Sequence, residues 1–130
     1  MKLRERKPKH LVAVYGTLRK GYGNHRLIKD AEEILTMSIG GFEMKSLGAF
    51  PIAQVSQGKS IVVEIYHITD SELEACDRLE GHPNWYKRTE VGQLDIGDGD
   101  QPLWLYVMPS GEYPDAMPVE SGDWNVHSKS

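Results

Sequence analysis

The sequence predicts an α+β domain with a curled sheet or barrel. Three observations lead there. At least four stretches read as strands, one or two short stretches read as helices, and the two kinds do not alternate in a βαβ rhythm. The 130 residues, 39% of them hydrophobic, suit one domain with a single core.

The elements follow in order. Residues 10–15, HLVAVY, are β-branched and apolar enough for a central strand, which the following glycines end. Residues 24–35 carry Leu27, Ile28, Ala31, Ile34 and Leu35 at spacings that share a helical face, so the segment is a short helix or irregular chain. Residues 36–45 and 51–55 read as strands around turns at Gly40-Gly41 and Gly48, with Pro51 at an edge or a strand start. Residues 60–68, SIVVEIYHI, make the strongest strand, with Ile61, Val63, Ile65 and His67 on one face and Val62, Glu64, Tyr66 and Ile68 on the other. Ser71 then heads a helix of about ten residues through the capping-box spacing to Glu74, and Gly81 and Pro83 stop it. Residues 85–94 and 102–108 form a closing strand pair around the turn-rich GDGDQ. Residues 1–9 read as a flexible basic tail, 10–125 as the single domain and 126–130 as a C-terminal tail.

One glutamate on the predicted helix is misplaced for a structural residue. On a wheel of about 100° per residue, Leu73, Cys76 and Leu79 share a stripe and Glu74 and Arg78 oppose it as an exposed pair. Glu80 falls about 20° from Leu73, which turns it toward the buried face or its edge. It also sits in the last turn, where the helix dipole disfavours an anion by about 0.3–1 kcal/mol. Both effects push its pKa upward, toward a general acid/base working near neutrality. Against this, a glutamate just before a glycine can turn out to solvent, and Lys87 or Arg88 can pair with it and cancel the shift.

Other chemistry is weakly supported. The loop YGTLRKGYGNH lacks both the P-loop pattern and the three-glycine dinucleotide fingerprint. The five histidines are scattered without metal-ligand spacing, so no metal site is expected and they read as surface or strand-filling residues. Cys76 falls on the apolar stripe, as core rather than nucleophile. Asp98 and Asp100 read as turn residues, lacking the rest of a calcium loop. The formal net charge of −4 argues against a nucleic-acid partner, and no apolar run approaches a membrane span. A single cysteine excludes an internal disulfide and points to the cytoplasm.

The motifs together carry a resemblance. Residues 14–21 (VYGTLRKG), 48–51 (GAFP), 62–66 (VVEIY), 77–81 (DRLEG), 86–88 (YKR) and 122–124 (GDW) occur in the order and spacing of the γ-glutamylcyclotransferase-like family, which the chain resembles over roughly residues 11 to 125. Within it the chain looks closest to the small AIG2-like, γ-glutamylamine cyclotransferase branch. The resemblance implies a small mixed β-barrel flanked by short helices. It further implies an enzyme that releases 5-oxoproline from a small γ-glutamyl substrate without metal or cofactor.

The family's catalytic glutamate corresponds to Glu80. Its substrate-binding loop corresponds to Tyr15, Gly16, Thr17 and Leu18, whose amides would meet either a carboxylate or a developing oxyanion. Tyr86 is implied either as a hydroxyl partner of the substrate or Glu80, or as packing. Arg19 and Lys20 either steer an anionic substrate or face water. Phe50 stands where the family often has tyrosine, and Val63, where glycine is common, is expected to narrow the pocket. A non-catalytic module that binds a metabolite or a protein is the alternative on the same fold.

Overall fold

The computed structural model describes residues 6–129, in the order β1 (His10–Val14), a 3-10 turn (Gly23–Ile28), β2 (Glu32–Ser46), β3 (Pro51–Ile68), α1 (Asp70–Glu80), β4 (Lys87–Asp95), β5 (Asp100–Val107), β6 (Met117–Pro118) and α2 (Trp124–Ser128). The strands form one mixed sheet, ordered β4-β5-β1-β3-β2-β6, that curls into a half-barrel. Among the described residues no helix is long and apolar enough to cross a membrane.

β1 is central, antiparallel to β3 and parallel to β5, and its Leu11, Val12, Ala13 and Val14 are all buried. Alternation sends Leu11 and Ala13 into one cluster with Ile61, Val63, Ile65 and Leu105. Val12 and Val14 join a second cluster with Tyr66, Ile68, Leu73 and Cys76, where α1 covers the sheet. Val63 belongs wholly to the first core and does not line the pocket described below, so the narrowing expected of it does not occur.

The expected strands at 51–55 and 60–68 are two arms of β3. Pairing with β2 jumps from Gly40↔Ser60 to Phe42↔Val55, so residues 56–59 bulge out opposite Gly41. Gly40-Gly41 is therefore a bend in a continuous strand rather than a turn, with Gly41 at a φ of 92°. The bend lets the first arm of β3 swing round to the end of β5, where Met108 N–H donates to the Ala53 carbonyl at 2.8 Å.

Helix α1 starts earlier than expected. Thr69, not Ser71, is the N-cap: its side chain accepts from Glu72 N–H and the Glu72 carboxylate accepts from Thr69 N–H, a complete capping box. Two such spacings overlap in T-D-S-E-L-E, and the first prevails because Glu72 also receives Arg6 at 2.9 Å. Gly81 closes the helix in the left-handed conformation at φ 68°, as expected of a glycine at that point. Part of the predicted N-terminal tail, residues 1–5, lies outside the described residues. Residues 6–9 lead into the central strand β1, with Lys9 N–H donating to the carbonyl of Ile68 at the end of β3. The segment expected as a C-terminal tail from 126 begins inside α2, which is anchored by the buried Trp124.

Candidate active site

The C-terminal end of β1 delivers the chain into a cavity of about 300 Å³. Tyr15, Gly16, Thr17 and Leu18 line one side, Glu80 and Tyr86 another, so the expected catalytic glutamate and the expected substrate-binding residues face the same space. Phe50, Pro51, Leu79, Trp85 and Asn24 complete much of the wall.

Glu80 is held by its helix. Asp77, one turn earlier, accepts from Arg88 Nε at 2.9 Å and from the Tyr106 hydroxyl at 2.7 Å, tying the end of α1 to β4 and β5. The Arg88 guanidinium also lies 4.6 Å from the centre of the Trp104 ring. Arg88 is thus engaged with Asp77 and does not neutralise Glu80, and Lys87 is exposed. No described side chain donates a hydrogen bond to the Glu80 carboxylate. Burial alone raises its pKa, to about 7 from an ordinary 4.5. Leu79, expected in the core stripe, is 36% exposed and stands at the pocket instead. The helix wheel is correct for Leu73 and Cys76. It misses Leu79, which the cavity leaves without a core to pack against.

The loop opposite is shaped by contacts the motif did not announce. The Tyr15 hydroxyl donates to the Tyr106 carbonyl at 2.6 Å and accepts from Ala53 N–H at 3.2 Å, stitching β1, β3 and β5 together beneath the cavity. Its hydroxyl is spent on the scaffold, and only the ring and backbone meet the pocket. Tyr86 is similar, donating to the Pro51 carbonyl at 2.8 Å, which makes it a wall. Burial raises the pKa of both phenols far above the range of a neutral-pH base. Thr17 Oγ1 accepts from Asn24 Nδ2 at 2.9 Å, leaving the threonine proton free to donate into the cavity. The amides of Gly16, Thr17 and Leu18 have no protein acceptor among the described residues, and His25 Nδ1 holds the Leu18 carbonyl at 2.8 Å. Asn24 and His25 escaped the sequence reading because they act through Thr17 and Leu18. Their only sequence signal is position, directly after Gly23.

Gly16 is glycine for a steric reason. A Cβ there would lie 2.6 Å and 2.7 Å from Pro51 Cγ and Cδ, ring atoms that cannot swing aside. Gly16→Ala should therefore push Pro51 and the Tyr86 wall outward. The expected result is a loss of at least about tenfold in activity with only a modest fall in melting temperature, since misplacement near an angstrom is enough to disturb reacting geometry. Steady-state kinetics beside thermal unfolding separate the two.

Behind the loop, Arg19 is 3% exposed. Its Nε donates to Glu64 Oε2 at 2.7 Å and another guanidinium nitrogen to Asp123 at 2.8 Å, while Lys20 N–H and the Tyr66 hydroxyl satisfy the other Glu64 oxygen. Arg19 therefore neither steers substrate nor faces water; it is a structural cation, and only Lys20 is exposed. Gly122 approaches Ser60 so closely that a Cβ would collide with its carbonyl, which brings Asp123 within reach of Arg19. Cys76 is fully buried with its thiol pushed up to about 12 by desolvation, inert as a nucleophile.

A curled sheet that sets one desolvated carboxylate across a small cavity from a backbone turn with free amides is an arrangement that can hold a small molecule and move a proton. The family described as gamma-glutamyl cyclotransferase, AIG2-like, matches residues 12–126, and the chain belongs to that family. A Methanocaldococcus jannaschii protein is 31% identical over 115 residues, covering 87% of this chain and 93% of its own. The gamma-glutamylcyclotransferase family protein YtfP of Escherichia coli is 30% identical over 113 residues, covering 87% of this chain and 94% of its own. Among solved structures, an uncharacterised Pyrococcus horikoshii protein superimposes with a TM-score of 0.72 at 27% identity, over 93% of this chain and 94% of that one. The solution structure of E. coli YtfP gives a TM-score of 0.66 at 28% identity, over 91% and 98%.

Proposed function

We propose that the protein is a γ-glutamyl cyclotransferase that releases 5-oxoproline and a free amine from a γ-glutamyl amine or small γ-glutamyl conjugate, with Glu80 as general acid/base. The observation that carries this is the Glu80 carboxylate, desolvated and unpaired, across the cavity from the loop at 15–18. A relative from Danio rerio named gamma-glutamylaminecyclotransferase C, 31% identical over 107 residues, supports the reaction class.

The chemistry asks little of the protein. The substrate's α-amine attacks its own γ-carbonyl carbon, a C–N bond forms to close the lactam, and the original amide C–N bond breaks. Two protons leave the α-nitrogen in all, and both end on the departing amine, which leaves as an ammonium ion. Glu80 takes a proton from the attacking nitrogen and delivers it to the leaving one. Amides of Gly16, Thr17 and Leu18 and the Thr17 hydroxyl supply donors for the carboxylate or the developing oxyanion. Folding the glutamyl chain so that nucleophile and carbonyl touch draws on effective molarities of about 10⁵–10⁸ M.

A carboxylate with a pKa near 7 is present in both protonation states at neutral pH, as a shuttle requires. Incubation with γ-glutamyl amines, assaying 5-oxoproline, tests the activity. The pH profile tests the mechanism: kcat/KM should rise with a midpoint near pH 7, since the base form is needed and burial raises its pKa. A midpoint near 4.5, the value of an exposed glutamate, would overturn the role of burial.

A further inference from the structure

The walls of the cavity carry information about the leaving group. Among the described residues Glu80 is the only side chain lining it that is ionisable near neutrality, so they offer the cavity no second anion and no cation. The leaving nitrogen must come within hydrogen-bond reach of Glu80 to be protonated, and whatever is attached to that nitrogen lies among the neighbours of Glu80. Those neighbours are apolar. Leu79 precedes it and is 36% exposed, and Trp85 is 46% exposed. Trp85 is brought alongside by the tight turn in which its amide and that of Tyr86 donate to the carbonyls of Gly81 and Glu80 at 2.9 Å and 3.2 Å. Phe50 meets Trp85 edge-on at 5.5 Å between ring centres, and Tyr86 meets it at 5.1 Å.

A tryptophan left half in water, buttressed by two aromatic rings at the edge of a catalytic cavity, gains free energy when an apolar group covers it. We propose that the leaving amine is uncharged and apolar beyond its nitrogen, an arylalkyl or branched alkyl amine, and that Trp85, Phe50 and Leu79 select it. This deepens the cyclotransferase reading and rests on it. A leaving group with a second ammonium would find no carboxylate but Glu80. Pairing there would hold Glu80 ionised when it must carry a proton to the leaving nitrogen. A very small amine would leave the indole wet. Phe50 adds a ring with no polar atom to this wall.

The test compares kcat/KM of the wild-type protein for γ-glutamyl phenethylamide, γ-glutamyl methylamide and γ-glutamylputrescine. The phenethylamide should exceed both others by about 10- to 100-fold, the range that apolar pocket contacts supply. Trp85→Ala should bring the ratios to within a few-fold of one, with the melting temperature checked because the side chain is half exposed. Equal or better turnover of the methylamide or the putrescine conjugate, or an unchanged ratio in Trp85→Ala, overturns the proposal while leaving the cyclotransferase reading intact. If none of the three yields 5-oxoproline, the cyclotransferase reading fails, and selectivity is read from calorimetric binding to the Glu80→Gln protein. Tighter binding of the phenethylamide that disappears when Trp85→Ala is added then supports the apolar selectivity, and equal affinities for the three overturn it.

Discussion

Glu80→Gln should lower 5-oxoproline release by about 10²- to 10⁴-fold, the usual contribution of a positioned acid/base, while making the protein more stable at alkaline pH. Glutamine keeps the size and shape of the side chain and removes its proton equilibrium, so packing around Trp85 and Tyr86 survives. The stability gain follows from linkage. The folded-state pKa of Glu80 is raised to about 7, so the folded protein holds its proton more tightly than the unfolded chain. Stability is then fullest below the unfolded value near 4.5 and declines as pH rises through about 7. Above that, charging the buried carboxylate costs on the order of 3 kcal/mol, which the amide variant avoids. Melting temperatures should coincide for the two proteins near pH 4 and diverge in favour of the variant at pH 8. Full activity in the variant would remove Glu80 from the mechanism, and equal melting curves at pH 8 would remove the desolvation penalty.

Arg19→Met should be the most damaging substitution outside the cavity. Arg19 and Glu64 are 3% and 5% exposed, and removing the guanidinium strands two carboxylates, Glu64 and Asp123, that it had satisfied. Breaking a buried pair from one side typically costs about 3–5 kcal/mol. For a domain of this size that corresponds to a fall in melting temperature on the order of 10 °C. Burial pushes the Glu64 pKa up, but Arg19, the Lys20 amide and the Tyr66 hydroxyl outweigh it and hold the carboxyl below its usual range. Glu64 therefore stabilises the fold above its unfolded pKa and loses that contribution in acid, so the difference between wild type and variant should shrink below about pH 4. Adding Glu64→Gln to Arg19→Met should recover part of the loss, because the uncompensated charge is what is expensive. A double variant no more stable than the single one would show that the cost is packing instead.

These two residues mark where sequence reasoning reached and where it stopped. Glu80 was legible because its fault is local: an acidic residue near an apolar helical stripe, in the last turn, before a glycine. Arg19 was not, because its partners lie 45 and 104 positions away and a basic residue beside glycines looks the same whether it faces water or the core. The same holds for the two tyrosines. Their hydroxyls meet the backbone carbonyls of Pro51 and Tyr106, which no residue type announces. The N-cap lies two residues before the one the sequence predicts, at a box whose Glu72 also receives Arg6 from 66 positions away.

From sequence alone came the central strand, the helix with its glycine stop and the α+β class, while the resemblance pointed to Glu80, Tyr86 and residues 15–18, which line the cavity. The first three rest on periodicity, on propensity or on a run of neighbouring residues, and such signals survive without knowledge of what packs against them. Tertiary structure alone decided that Gly40-Gly41 bends a strand instead of ending one, and that Gly16 lies against Pro51. It also decided that Arg88 holds Asp77 and leaves Glu80 unneutralised. The physical reason is common to all three. Burial and charge pairing are set by residues brought together across the curl of the sheet, and the raised pKa of Glu80 measures what surrounds it in space.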